Sequence, residues 1–296
     1  DRTERMTDPN SPAPGALLLD HTGHFVPDAG AARDALAALG FTVTPYSAQV
    51  QPDPQTGEMR LTGTGNICAM LPEGYLEFLV HTADTPLGQE FRAALDRRAG
   101  LHLLAFGVAD AAAVHADLAG TGDVLCRLVR CSRQVGTVSG ATTARFTVAR
   151  LAAGTMPEGR VQFATHHTVP AMWQPRWMAH ANGARALRAV VISAPDPAGV
   201  AARFAGLLGR PARATGDGHA IALDRGALEI LPEPDATALV GQPVEPGHPA
   251  FAALRIAVDD LPRLRARVRA AGAPCAETGA ALRVPFPPAL GRGAFL

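Results

Sequence analysis

Two histidines and two side chains of the glutamate type stand at matching places in strand-like runs of this sequence. His21 begins the run HTGHF and His102 the run HLLAFG, 102 − 21 = 81 residues later. Glu77 lies in GYLEFLVHT and Gln162 in RVQFATHHT, 162 − 77 = 85 residues apart. Side chains of a strand alternate between its two faces, so residues of one parity can converge. Tyr75, Glu77, Leu79 and His81 share a face, as do Gln162, Ala164 and His166. If the two halves pair about a pseudo-twofold axis, His21, Glu77, His102 and Gln162 meet in one cavity. Two imidazoles, a carboxylate and an amide oxygen suit one divalent ion (Fe, Mn, Ni, Zn or Co) rather than a thiol-seeking metal. A carboxylate on an inward face is costly to bury unless it is paired, and a metal would pair it. His24 is three residues from His21, so it points to the opposite face and reads as a surface or interface residue.

Around this group, Tyr75 and His81 are candidate pocket residues because they share the face of Glu77. The segment VPAMWQPRWMAHANGA follows the strand of Gln162 and His166 directly and holds both tryptophans. Trp173 and Arg176 there are candidates for an apolar wall and for a carboxylate contact. Cys68 has no feature that would lower its pKa and reads as an inert core thiol.

The elements that must position these residues repeat four times. Leu17–Phe41, Leu101–Asp123, Leu187–Arg210 and Phe251–Ala273 share a short apolar strand, an aspartate, an alanine-rich helix and a glycine. Asp28, Asp110, Asp196 and Asp260 are placed to cap helix amides, and Gly40, Gly122, Gly209 and Gly272 to end the helices. Short β-like stretches follow each helix, among them NICAML, ARFTVARL, HAIALD and GALEIL. The unit is β-α-β-β-β, and the fold class is α+β with four such modules. Aligning the first two aspartates gives an offset of 110 − 28 = 82, which sets His21 against Leu103. Aligning LDH with GLH gives 81 and sets His21 against His102, with the one-residue difference assigned to the strand-to-helix loop. The same aspartate offsets map His21 to Ala189 and His102 to Ala252, so the second half lacks the imidazoles and is expected to be metal-free. Glu229 alone survives there as the counterpart of Glu77.

Composition narrows the function classes. The chain of 296 residues is 47% hydrophobic and 18% charged, which fits a folded protein of two ordinary domains. Its 27 basic and 27 acidic residues balance, and no basic stripe marks a nucleic-acid surface. Four scattered cysteines form no CxxC pair, and no run reaches the length of a membrane helix. No nucleotide-binding loop or nucleophile elbow is present. These features lead us to expect a cytoplasmic protein with a small-molecule substrate, no nucleic acid, no membrane, and a homodimer as an open option.

The pieces LDHTGHFVPD, GTGNICAML, GYLEFL, GLHLLAFG, GRVQFATHHT and WQPRWMAHANGA resemble the vicinal oxygen chelate superfamily, and within it the glyoxalase-like branch. That superfamily includes glyoxalase I, bleomycin-resistance proteins and extradiol dioxygenases. The resemblance spans roughly Leu17 to Leu231 and implies two pseudo-twofold glyoxalase-like domains. The expected layout is 1–15 as a disordered N-terminus or tag, 16–168 as domain one with the metal site, 169–186 as an aromatic linker and 187–296 as a degenerate domain two. It implies His21, Glu77 and His102 at ligand positions, with the fourth falling on Gln162 where the superfamily more often has glutamate. Gln162 or His166 would then complete the sphere or act as the catalytic base. The implied function is a metal-dependent lyase, isomerase or dioxygenase. The alternative is a non-catalytic small-molecule binding or drug-sequestering protein of the same fold.

Overall fold

Four stretches of the chain each fold as a strand, a helix and three strands in the computed structural model, which describes residues 8–53, 55–121 and 126–296. The first comprises β1 (Leu18–Phe25), α1 (Ala29–Ala38), β2 (Ser47–Pro52), β3 (Met59–Met70) and β4 (Tyr75–His81). Helix α2 (Pro86–Arg97) leads to the second, β5 (Gly100–Gly107), α3 (Ala111–Thr121), β6 (Cys126–Thr137), β7 (Gly140–Leu151) and β8 (Arg160–His166). Two single-turn helices, α4 (Val169–Met172) and α5 (Pro175–Met178), lie in the first part of the expected linker, 169–186. The third stretch is β9 (Ala184–Ala194), α6 (Pro197–Leu208), β10 (Ala212–Thr215), β11 (Gly218–Ala222) and β12 (Ala227–Pro232). After α7 (Glu233–Val240) come β13 (Ala250–Val258), α8 (Leu261–Ala270), β14 (Ala276–Thr278), β15 (Ala281–Pro285) and β16 (Ala294–Phe295).

Local chemistry starts these helices as the spacing predicts. The carboxylates of Asp28, Asp196 and Asp260 accept from the backbone N–H groups of Ala31, Gly199 and Arg263 at 2.7, 3.0 and 2.9 Å. Asp110 accepts from Ala112 and Ala113 at 2.8 and 3.1 Å. Gly40 and Gly209 follow their helices with φ of 87° and 60°, a turn that L-residues adopt only with strain. Gly122, expected in the same role, lies outside the described residues.

The strands form two eight-stranded sheets of one topology. Their orders are β2-β3-β4-β1-β5-β8-β7-β6 and β10-β11-β12-β9-β13-β16-β15-β14. In each, two modules meet at a central antiparallel pair, β1 with β5 and β9 with β13, flanked by parallel neighbours. A continuous apolar core joins both sheets, with Leu19, Phe78 and Phe106 from one and Val190, Ile192 and Leu254 from the other. Residues 8–15 are tied into this packing. The buried Asn10 donates to Pro72 O at 3.0 Å and accepts from Gly74 N at 3.0 Å. Residues 1–7, expected with them as a disordered end, lie outside the described residues. No helix among the described residues is long and apolar enough to cross a membrane.

Candidate metal and substrate site

The other face of the first sheet is cupped, and its edge strands β2 and β6 approach each other across the opening. A cavity of about 110 Å³ lies inside, with His21, Tyr75, Glu77, Gln162 and His166 on its floor. Strand register explains the convergence. His21 is opposite Tyr75 in the β1–β4 ladder and opposite Ala105 in the β1–β5 ladder, while Ala105 is opposite Gln162 across β8. Glu77 is two residues along from Tyr75, on the same face.

A bulge adds a residue that parity alone conceals. The β1–β5 ladder passes from Leu19↔Phe106 to His21↔Ala105 and skips Asp20. The extra residue turns the Asp20 carboxylate onto the face of His21. Its Oδ2 is 2.6 Å from His21 Nδ1 and 3.0 Å from His166 Nε2. Gly107 across the ladder makes room, since a Cβ there would stand 3.2 Å from Asp20 Oδ1. Burial disfavours ionising Asp20, but the charge and hydrogen bond of His166, and then those of His21, outweigh it and hold the carboxyl far below the usual range.

These contacts fix which atoms face the cavity. With His21 Nδ1 donating to Asp20, the Nε2 lone pair is left free. Glu77 Oε2 lies 3.9 Å from that Nε2 and the Gln162 amide nitrogen 3.4 Å from it. Glu77 Oε1 is already taken, accepting from Asn66 Nδ2 at 2.5 Å and Gln49 Nε2 at 3.1 Å. Gln162 Oε1 is buried without a partner, and turning the amide over brings it to the same point. Metal bonds of about 2.0–2.2 Å set neighbouring donors roughly 3–3.5 Å apart, so the spacing here suits an ion better than mutual hydrogen bonds. The donor set of imidazole, carboxylate and amide oxygen fits a borderline or hard divalent ion. Among the described residues, Asp20, His21 and His166 also bring ligand atoms within 4.8 Å of one another. Both imidazoles in that group are already bonded to Asp20, which makes it a support for His21.

His102 does not join this group. A second bulge passes from Gly23↔Leu103 to His24↔Leu101 and skips His102. The ladders pair Tyr75 with His21 and Arg160 with Leu103, and 160 − 75 = 85 is also the offset from Glu77 to Gln162. Leu103 is therefore the counterpart of His21, as the aspartate offset of 82 indicated, and the 81-residue alignment is corrected. The His102 ring packs on Phe25 at 4.9 Å and its Nε2 bonds Arg98 O at 2.6 Å. Burial, then the charge of Arg98, pushes its pKa down to about 3.

The remaining expected residues divide. Tyr75 lines the cavity with its ring stacked on His21 at 4.4 Å, and Trp173 backs both Tyr75 and His166 at 5.7 and 4.9 Å. His81 stands apart at the end of β4 with its Nε2 3.1 Å from Asp84. Arg176 also stands apart, over Trp177 at 4.8 Å and bonded to Gly136 O. Cys68 is buried, and burial pushes its thiol up to about 12. His24 is wholly buried on the opposite face, stacked on Phe78 at 4.5 Å. Sequence reasoning missed Asp20, Gln49, Asn66, Arg133 and Arg150. Asp20 adjoins His21 in the LDH run, and Arg150 is opposite Gln162 in the β7–β8 ladder.

The second sheet repeats the frame without the donors. Ala189 takes the place of His21, opposite Ala227, and Glu229 is held by Arg255 at 2.7 and 2.9 Å.

Residues 19–208, more than half of the chain, match the Glyoxalase-like domain family. The chain belongs to that family. It is thereby a member of the vicinal oxygen chelate superfamily. Solved structures share the fold along nearly the whole chain. A hypothetical protein from Staphylococcus aureus is 10% identical with a TM-score of 0.64, covering 95% of this chain and 99% of that one. A mutant 4-hydroxymandelate synthase from Streptomyces coelicolor is 14% identical with a TM-score of 0.51, covering 95% and 91%. The Mn(II)-bound glyoxalase from Novosphingobium aromaticivorans is 14% identical with a TM-score of 0.51, covering 95% and 81%. No curated protein matches the sequence.

Proposed function

We propose that this glyoxalase-like protein is a divalent-metal-dependent enzyme acting on a small substrate that offers two neighbouring oxygens. The observation that carries the reading is the convergence of His21 Nε2, Glu77 Oε2 and the Gln162 side-chain amide, whose oxygen is partnerless, on the cavity floor. His21, Glu77 and Gln162 would hold the ion. Bound there, it would supply Lewis-acid stabilisation of an oxyanion or enolate on the substrate. Asp20 keeps His21 in the tautomer whose Nε2 faces the floor, and Asn66 with Gln49 orients Glu77. His166 donates its Nε2–H to Asp20, leaving a partnerless Nδ1 to take a proton from substrate carbon or oxygen. The Asp20 carboxylate then stabilises the imidazolium that forms. The Mn(II)-bound glyoxalase and the synthase among the structural neighbours are in keeping with such chemistry.

Metal analysis of protein purified without chelators tests the reading. We expect one equivalent of a divalent ion per chain, lost in His21→Ala and kept in His102→Ala. No bound metal, together with an unchanged melting temperature on adding Mn²⁺, Fe²⁺, Co²⁺, Ni²⁺ or Zn²⁺, would overturn it. One observation favours a second reading as a non-catalytic binding protein. Leu103 stands at the strand position equivalent to His21, so an apolar side chain replaces the symmetric fourth donor. Ligand binding by metal-free protein that metal leaves unchanged would point to that reading.

A further inference from the structure

The walls above the floor carry charge that the proposed metal chemistry does not use. Arg133 on β6 and Arg150 on β7 line the cavity. Neither makes an ion pair among the described residues, whereas Arg98, Arg160, Arg203 and Arg255 each face a carboxylate at up to 3.5 Å. Arg133 donates to Asn66 Oδ1 at 3.0 Å and to the Met172 sulfur at 3.2 Å, two weak substitutes for an anion. The Arg150 guanidinium makes no hydrogen bond among the described residues, and its Nε is shut off from solvent without a partner. A guanidinium half-buried without a counter-ion loses hydration and gains nothing in exchange. Such a cost persists where the missing partner is a ligand.

The balance of charge around the cavity agrees. Among the described residues Glu77 is the carboxylate lining it, with Asp20 behind His21 and His166, against Arg133 and Arg150. A divalent ion on the floor would leave the cavity with a net positive charge. Arg150 also borders a second, larger chamber of about 680 Å³ that shares Gln51, Thr62 and Leu87 with the first. The guanidinium thus stands at the neck between a small inner chamber and a roomy outer one. Its planar fork matches a carboxylate, which it can hold with two parallel hydrogen bonds.

We infer that the substrate is a carboxylate, with its acid group held by Arg150 at the neck of the cavity and drawn by the charge of Arg133 on the wall further in. Its reacting oxygens reach the floor and any larger portion extends into the outer chamber. The inference rests on the proposed function for the reacting end, but the arginine contacts do not require the metal.

Oxalate and its neutral diamide, oxamide, are suitable probes because they share a shape and differ in charge. Binding would be measured by calorimetry on the full chain, metal-free and after loading with Mn²⁺, alongside Mn²⁺ affinity itself. We expect oxalate to bind, oxamide to bind at least tenfold more weakly, and Arg150→Gln to weaken oxalate at least tenfold with Mn²⁺ affinity unchanged. Arg133→Gln should weaken oxalate as well, and Arg176→Gln should not. Equal binding of the two probes, or oxalate affinity untouched by Arg150→Gln in a folded variant, would overturn the inference. So would failure of oxalate to bind at all. If Mn²⁺ does not bind yet oxalate binding still depends on Arg150, the metal reading fails and this one stands.

Discussion

At the scale of single residues, Asp20 decides what His21 can do. Its carboxylate accepts from His21 Nδ1 and His166 Nε2 through one oxygen, so both imidazoles are oriented by the same group. Because it is held far below the usual carboxyl range, this acceptor stays ionised across the whole working pH span. Asp20→Asn would put a neutral amide there, a far weaker acceptor for the two imidazole N–H groups. Loss of such a support for a metal-ligating histidine typically costs about 10- to 100-fold in metal affinity. Calorimetric titration of Mn²⁺ into Asp20→Asn should show a loss of that order, and equal affinity for variant and parent would refute the role. The sequence displayed Asp20 openly beside His21, yet strict alternation sends neighbours to opposite faces. Only the bulge, which depends on pairing with β5, reverses that, and no residue type in the LDH run announces it.

At the scale of elements, the repeated aspartates made the module legible, because each cap is a local bond between residues three apart. Helix α2 was not foreseen. Its start is marked by Thr85, whose hydroxyl accepts from Gly88 N, and by Pro86, and Leu87, Phe91, Ala94 and Leu95 recur on it at helical spacing, but it lies between modules, outside the repeated unit. That helix matters to the site. Phe91 is fully buried, 4.2 Å from the Phe25 ring, and packs with Leu79 and Leu103 to seal the cupped face beyond the floor. Removing its ring leaves a void that these neighbours cannot fill by collapse. Phe91→Ala should therefore cost about 3–5 kcal/mol, measured by urea unfolding. A cost below about 1 kcal/mol, outside that range for a buried ring, would show that the seal is not packed as described. The equivalence of His21 and Leu103 in the repeat was also within reach, since the aspartate offset contained it. The bulge at His102 imitated a one-residue slip and made the wrong alignment look better matched.

At the scale of the molecule, the seam between the two sheets holds imidazoles that must stay neutral. His24 leaves β1 on the face away from the metal site and lies between Phe78 and Phe286, the latter contributed by the fourth module. Burial above all, then the charges of Arg98 and His102, pushes its pKa down to about 3, and His102 beside it is likewise pushed down to about 3. Arg98, paired with Glu245 at 2.9 Å, brings fixed positive charge to the same seam. An unfolded chain returns both histidines to about 6.5, so between roughly pH 3 and 6.5 it binds more protons than the folded one. Stability is then full above about pH 6.5 and falls as the pH drops toward 3. Replacing His24 by Phe keeps the ring contacts and removes one of the two titrations. The unfolding free energy of His24→Phe should decline less steeply between pH 7 and pH 4 than that of the parent, by urea melts at each pH. Parallel declines would mean that the seam opens or hydrates before His24 is forced to take its proton. The variant should also keep its metal, because the side chains of His24 and His21 leave β1 on opposite faces.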